Sequence, residues 1–256
     1  MPNVIIDGIQ YHYSAKTPYP GEPEGIIVFI HGSGGSHANW AHQVAELGRN
    51  YMVLAPDLPG HAASGGKPGE SIGAYAEFLY KFYNCVIGSP FVVAGHSMGG
   101  AVALDFALKY PDLLNGIILL GTGSRLRVLP LILEALKDGN IPDSFSSALF
   151  SQGTPAQILQ EAERDLQKSG TKVLYSDLSA CDRFDVSERL KEIENPALVI
   201  TGENDLMTPV KYGRYLADNI KNASFHVLEG AGHMLMLEKP ERVNNLIKGF
   251  LKERGC

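Results

Sequence analysis

The chain has 256 residues, 45% of them hydrophobic, enough to bury a sizeable core as one domain or as one domain with an insertion. A formal charge of −6 with scattered Lys and Arg argues against a nucleic-acid footprint, and no stretch reaches membrane-spanning length. Cys85, Cys181 and Cys256 lie far apart without metal-ligand spacing, and Met1 to Asp7 lacks a basic, then apolar leader, so the expectation is reduced thiols in a cytoplasmic protein.

In chain order, residues 2–20 predict an edge hairpin, with turns at Asp7-Gly8 and Pro18-Tyr19-Pro20-Gly21. Ile26 to Ile30 is a β-branched strand running into the glycine-rich loop His31-Gly32-Ser33-Gly34-Gly35. A helix is expected from Asn39 to Leu47, a strand from Tyr51 to Ala55, and a helix from about Ser71 to Val86. Phe91 to Ala94 reads as a buried strand, followed by Gly95-His96-Ser97-Met98-Gly99-Gly100 and a helix-forming run to Leu108. Gly116 to Leu120 is the sixth strand. From Ser124 to Arg189 strand signals stop, and helix-period leucine patterns appear instead, broken at Gly139, Pro142, Pro155 and Gly170. Strands resume at Ala197 to Gly202 and Ser224 to Leu228. This alternation predicts an α/β fold, with residues 1–123 and 190–256 as the core domain and 124–189 as a helical cap.

Gly-x-Ser-x-Gly between an apolar strand and a helix is the pattern of a nucleophile elbow, where a sharp turn presents one serine hydroxyl. Ser97 then requires a base, a group to orient that base, and donors for an oxyanion. Asp205 follows the Ala197 strand and His233 follows the Ser224 strand, giving the order nucleophile, acid, histidine at the carboxyl ends of strands. Glu203 is the rival acid and His226 the rival base. The backbone N–H groups of Ser33 and Met98 are assigned as oxyanion donors, with Gly34 as the alternative to Ser33. His31 and His96 are expected to bond loop backbone; His37, His42 and His61 read as loop or helix histidines, with substrate contact as the lesser role. No His, Asp and Glu cluster suggests a metal.

His31–Gly35, Asp57-Leu58-Pro59-Gly60-His61, Gly95–Gly100, Gly202-Glu203-Asn204-Asp205 and Gly232-His233 together resemble landmarks of the α/β-hydrolase superfamily, over almost the whole chain. The resemblance implies a mostly parallel sheet flanked by helices, with the helical cap inserted after the sixth strand. It is a poor guide to substrate; the side-chain chemistry of Ser97, His233 and Asp205 reads as a serine carboxylesterase needing no cofactor or metal, with a small-molecule ester as its partner and small to medium apolar acyl groups favoured by the modest cap. Gly34, Leu133 and Leu159 are the expected substrate contacts. Carbon–carbon hydrolysis of a vinylogous diketone, thioester hydrolysis, perhydrolysis and a receptor on the same fold stay open, as does the oligomeric state. An aspartate nucleophile, as in haloalkane dehalogenases and epoxide hydrolases, is disfavoured by Ser97, and Met98 disfavours an iminopeptidase.

Overall fold

Continuously apolar runs such as Ile-Ile-Val-Phe-Ile suit strands covered on both faces. In the computed structural model, which describes residues 2–254 without the side chains of Asp143, Ser144 and Arg254, they form the middle of one eight-stranded sheet. Strands β1 (Asn3–Ile6), β2 (Ile9–Lys16), β3 (Ile26–Ile30), β4 (Met52–Pro56), β5 (Phe91–His96), β6 (Leu114–Leu120), β7 (Ala197–Gly202) and β8 (Ala223–Leu228) lie in the order β1-β2-β4-β3-β5-β6-β7-β8. From β4 to β8 all neighbours run parallel; β2 runs antiparallel to β4 and to β1. Positive φ at both Asp7 and Gly8 makes the tight hairpin turn between β1 and β2.

Alternation along the strands divides the core into two layers. Val28, Ile30, Leu54, Val93, Leu119 and Val199 face helices α2 (Ile72–Phe82), α3 (Met98–Lys109) and α7 (Val210–Asn219). Ile27, Phe29, Val53, Ala94, Leu120 and Ile200 face α1 (Ala41–Leu47), α8 (Leu235–Glu238) and α9 (Pro240–Arg254). Between β6 and β7 the chain leaves the sheet to form α4 (Pro130–Lys137), α5 (Asp143–Ser147) and α6 (Ala156–Asp182), with a small core of their own around Leu136, Phe145, Leu166, Leu174 and Leu178. Gly170, with φ 78 and ψ 161, divides α6 into two arms, the break foreseen between its two helix-period patterns.

Boundaries shift where backbone chemistry overrides periodicity. The expected helix at Asn39 opens earlier, as a 3₁₀ turn His37–Trp40 capped by the Ser36 side chain. The helix expected to reach Val86 loses α geometry after Phe82, passes through a π turn Tyr83–Ile87 and stops at left-handed Gly88.

The register positions the chemistry. Ile30 pairs with Gly95, Gly95 with Leu119, and His96 with Leu120, which pairs with Ile200. The four central strands therefore end nearly level, and the loops after β3, β5, β6 and β7 emerge together at one edge.

Candidate active site

Ser97 sits between β5 and α3 at φ 53 and ψ −117, a conformation costly for a residue with a Cβ. The turn survives because its neighbours leave room: a Cβ on Gly95 would meet the Gly99 backbone, and one on Gly99 the Ile30 carbonyl. The Ser97 N–H donates to the Leu120 carbonyl at 3.0 Å, and the Thr122 hydroxyl donates to the Ser97 carbonyl at 2.8 Å. The strained residue is thus held from β6 and the loop beyond it.

Asp205, in the loop after β7, is buried. Its Oδ1 accepts the Met207 and Thr208 N–H groups at 2.9 and 2.8 Å. Its Oδ2 accepts the Thr208 hydroxyl at 2.8 Å and His233 Nδ1–H at 2.9 Å. Burial alone pushes this carboxyl up, but the His233 charge, its hydrogen bond and the Thr208 donors outweigh that and leave it below its ordinary value. With Nδ1–H committed to the carboxylate, Nε2 of His233 is left as the acceptor. The rival residues are elsewhere: Glu203 is exposed and accepts the Gly230 N–H at 3.0 Å, while His226 is exposed on β8. Ser97 and His233 line one recess with Gly32, Ser33 and Gly34.

The neighbouring histidines are held neutral. His96 donates Nε2–H to the His233 carbonyl at 2.9 Å; burial, then the His233 charge, lowers its pKa to about 3. His31 donates Nδ1–H to the Gly32 carbonyl at 2.8 Å and accepts the Leu58 N–H at 3.1 Å; burial, then the His61 charge, lowers it to about 4. Both bond backbone at the loops, as expected.

The glycine-rich loop separates the two candidate donors. The Gly34 N–H is already given to Asp177 Oδ2 at 2.9 Å, which leaves the Ser33 amide for an oxyanion. Asp177, on the second arm of α6, escaped the sequence reading, as did Tyr75, whose hydroxyl it accepts at 2.5 Å; its other partner, His61 at 2.8 Å, was read as a loop histidine and is bonded to Asp177. A second unforeseen cluster joins His12, His37 and Asp57, whose potential ligand atoms lie within 4.8 Å of one another. The sequence suggested no His, Asp and Glu cluster for a metal; this group, which could hold one, has no signature in sequence spacing because β2 pairing with β4 brings together residues 45 positions apart. Both imidazole Nδ1 atoms hydrogen-bond the Asp57 carboxylate, at 2.8 and 2.9 Å. Burial raises that carboxyl, but bonds and charge from His37, with a bond from His12, more than reverse the shift and bring it to about 2.

Two small recesses meet at Ser97. One, about 80 Å³, is walled by Phe145, Leu149, Leu166 and Leu178; the other, about 50 Å³, by Leu126, Val128, Cys181 and Tyr212. Gly34 lines the first, but the other two expected contacts do not line either. Leu133 packs against the core of the insert and Leu159 is 39% exposed. Cys181 is buried, which pushes its thiol up to about 12; Cys85 is exposed, and Cys256 lies outside the described residues. Among the described residues no helix is long and apolar enough to cross a membrane.

Comparison with known proteins places this geometry. The chain is 34% identical to a thermophilic esterase of known structure, with a TM-score of 0.88 over 99% of this chain and 98% of the other. It is 25% identical to a thermophilic esterase from Thermogutta terrifontis, solved with malate bound, with a TM-score of 0.88 and full coverage of both. Among curated proteins it is 29% identical to a 2-hydroxy-6-oxononadienedioate/2-hydroxy-6-oxononatrienedioate hydrolase of Burkholderia vietnamiensis, over 98% of this chain and 94% of that one. Residues 27–246 match the family described as "Alpha/beta hydrolase family", and the chain belongs to that family of hydrolases.

Proposed function

We propose that the chain is a serine hydrolase of carboxylic esters with small apolar acyl groups, and that Ser97, His233 and Asp205 are its catalytic triad. The observation that carries this reading is the Asp205–His233 pair, at 2.9 Å, opening onto the recess that holds the strained Ser97. His233 Nε2 takes the Ser97 proton as Oγ adds to the ester carbonyl; the oxyanion lies between the Ser33 and Met98 amides. The imidazolium, stabilised by Asp205, returns the proton to the departing alkoxide. Water then enters, gives its proton to His233 and attacks the acyl-enzyme; the returned proton frees Ser97. Every proton is carried by side chains, so the scheme calls for no cofactor. The helical insert acts as the cap, its leucines excluding water from the oxyanion.

The similarity to a thermophilic esterase supports the ester reading. The similarity to the Burkholderia hydrolase keeps carbon–carbon cleavage as a second reading, but that protein's name denotes dicarboxylate substrates. Of the two recesses at Ser97, the one of about 80 Å³ has Asp165 and, among its described lining residues, no Lys or Arg, and the one of about 50 Å³ has Arg127 alone, which already donates to the Asp182 carbonyl and pairs with Asp185, so two carboxylates are not balanced there. Steady-state kinetics on p-nitrophenyl esters of two to twelve carbons, beside a vinylogous diketone, decide between them. The expected result is turnover highest on short esters and lost in Ser97→Ala. Faster turnover of the diketone, or a Ser97→Ala variant keeping more than a few per cent of activity, overturns the reading.

A further inference from the structure

Asp177 is fully buried, lies outside the proposed triad, and reaches into the glycine-rich loop from the far side. Its Oδ1 accepts the Tyr75 hydroxyl; its Oδ2 accepts the Gly34 N–H and His61 Nε2–H. The other nitrogen of His61, Nδ1, faces the Pro59 carbonyl at 3.1 Å, and a carbonyl only accepts. Both ring nitrogens therefore carry protons, so His61 and Asp177 form a buried ion pair with both side chains shielded from solvent. Burial alone lowers the His61 pKa, but the Asp177 charge and hydrogen bond reverse this and raise it, in keeping with the geometry.

The loop these groups hold is a β-turn over Gly32–Gly35, closed by the Gly35 N–H to the Gly32 carbonyl at 3.0 Å. Gly34, with φ 64, occupies the left-handed third position of a type II turn. Type I and type II turns differ by a flip of the central peptide, whose N–H here is that of Gly34. The flipped form would turn the Ser33 carbonyl, an acceptor, toward a buried carboxylate. Asp177 thus selects one orientation of that peptide. The preceding peptide is fixed at its carbonyl, because Gly32 accepts both the Gly35 N–H and His31 Nδ1–H. A trans peptide sets its N–H opposite its carbonyl, so the Ser33 amide points away from those donors. The His31 ring rests against His61, centroids 4.9 Å apart, which joins the two supports.

We infer that Asp177 is a positioning residue: from the second arm of α6, through the Gly34 amide and His61, it locks the turn that presents the Ser33 N–H to the oxyanion. This inference deepens the ester reading and rests on it for the identity of the oxyanion. It also makes the insert part of the catalytic framework, since the lock forms only when α6 is docked.

The test uses paired variants, because Asp177→Asn alone strands a buried cation and endangers folding. Asp177→Leu/His61→Leu removes both charges and the acceptor of the Gly34 amide. Asp177→Asn/His61→Gln removes the charges but keeps an amide oxygen for Gly34 and an NH₂ for the Tyr75 oxygen. Melting temperature, kcat and KM on p-nitrophenyl acetate, the rate of Ser97 labelling by a fluorophosphonate, and the Gly34 amide shift in ¹⁵N-glycine-labelled protein are measured for each. Misplacing one donor predicts a kcat and labelling rate down by about 10- to 100-fold in the leucine pair, with KM within about twofold. The Gly34 proton should move upfield in that pair, and the amide pair should regain most of the rate. A folded leucine pair with the unaltered chain's kcat and labelling rate overturns the assignment, as do equal losses in both pairs. Absence of ester turnover in the unaltered chain, with Ser97 still labelled, sinks the ester reading alone, and the labelling rates and Gly34 shift then decide for Asp177.

Discussion

Glycines in this chain differ in what surrounds them, and that sets three contrasting expectations. An added Cβ at Gly99 runs into the Ile30 carbonyl, which is backbone and cannot rotate aside, so Gly99→Ala should give no soluble folded protein. At Gly100 the obstacle is the Thr122 side chain, 2.5 Å away, and Thr122 also donates to the Ser97 carbonyl. Gly100→Ala should fold, with a lowered melting temperature and reduced kcat as the elbow loosens. Gly249 is exposed in α9 with nothing within 4 Å of its would-be Cβ. Gly249→Ala should stabilise the protein by about 0.5–1 kcal/mol in urea denaturation. The two carboxylates beyond β7 offer a sharper contrast. Asp205→Asn should lower kcat by about 10⁴, since the amide favours the wrong tautomer of His233, the magnitude being that of the serine-protease case. Glu203→Gln, on an exposed group bonded to a loop amide, should be nearly silent; the reverse ranking in steady-state kinetics moves the acid to Glu203.

At the scale of elements, the leucines of the insert divide into those that wall the recess at Ser97 and those that do not. Leu166 and Leu178 are buried and line the recess at Ser97; Leu133 is partly buried within the insert, and Leu159 is 39% exposed and lines neither recess. Leu166→Ala or Leu178→Ala should move relative kcat/KM toward longer acyl chains by ~10- to 100-fold, in line with ~1–3 kcal/mol per methylene accommodated in an apolar pocket. Leu133→Ala should lower the melting temperature with an unchanged chain-length profile, and Leu159→Ala should change neither. A flat profile for all four refutes the insert as the specificity element. These assignments also show what a sequence carries. The parallel strands were legible because two-sided burial leaves continuous apolar runs, and Ser97 because its strain leaves fixed glycines around it. The meeting of Asp205 and His233 was legible through their place after strands. Which leucine faces the serine was not, because that depends on the docking angle of α6. Asp177 was hidden for a similar reason: it is one acid in a helix rich in charge, and its partners come from loops 34 and 61 and from α2.

At the scale of the whole molecule, buried titratable groups set the response to pH. His31 and His96 are neutral in the fold, at about 4 and about 3, but take protons near 6.5 when unfolded. The unfolded chain therefore binds more protons, and their contribution, complete above pH ~6.5, falls as pH drops toward about 4 and then about 3. Asp57, at about 2 in the fold against ~4 unfolded, extends the loss below pH ~4. His61 has the opposite sign: its raised pKa contributes below ~6.5 and is lost as pH rises through the folded value. Urea midpoints should thus be highest near neutrality and drop steeply between pH 6 and 4. Displacing a pKa by one pH unit is worth ~1.4 kcal/mol, so the two histidines alone remove several kcal/mol of the ~5–15 typical of a domain. A midpoint unchanged from pH 7 to 4 contradicts their burial as neutral rings. The bend at Gly170 has a consequence for how such a protein diversifies. The arm beyond it carries Asp177 and is tied to the glycine-rich loop, whereas the arm before it, from Ala156, contributes Leu166 to the recess wall. On the function proposed above, exchange of residues 156–169 between homologues should change which substrates are accepted and leave the Ser97 site as it was, a division of labour that lets one framework be retuned by recombination.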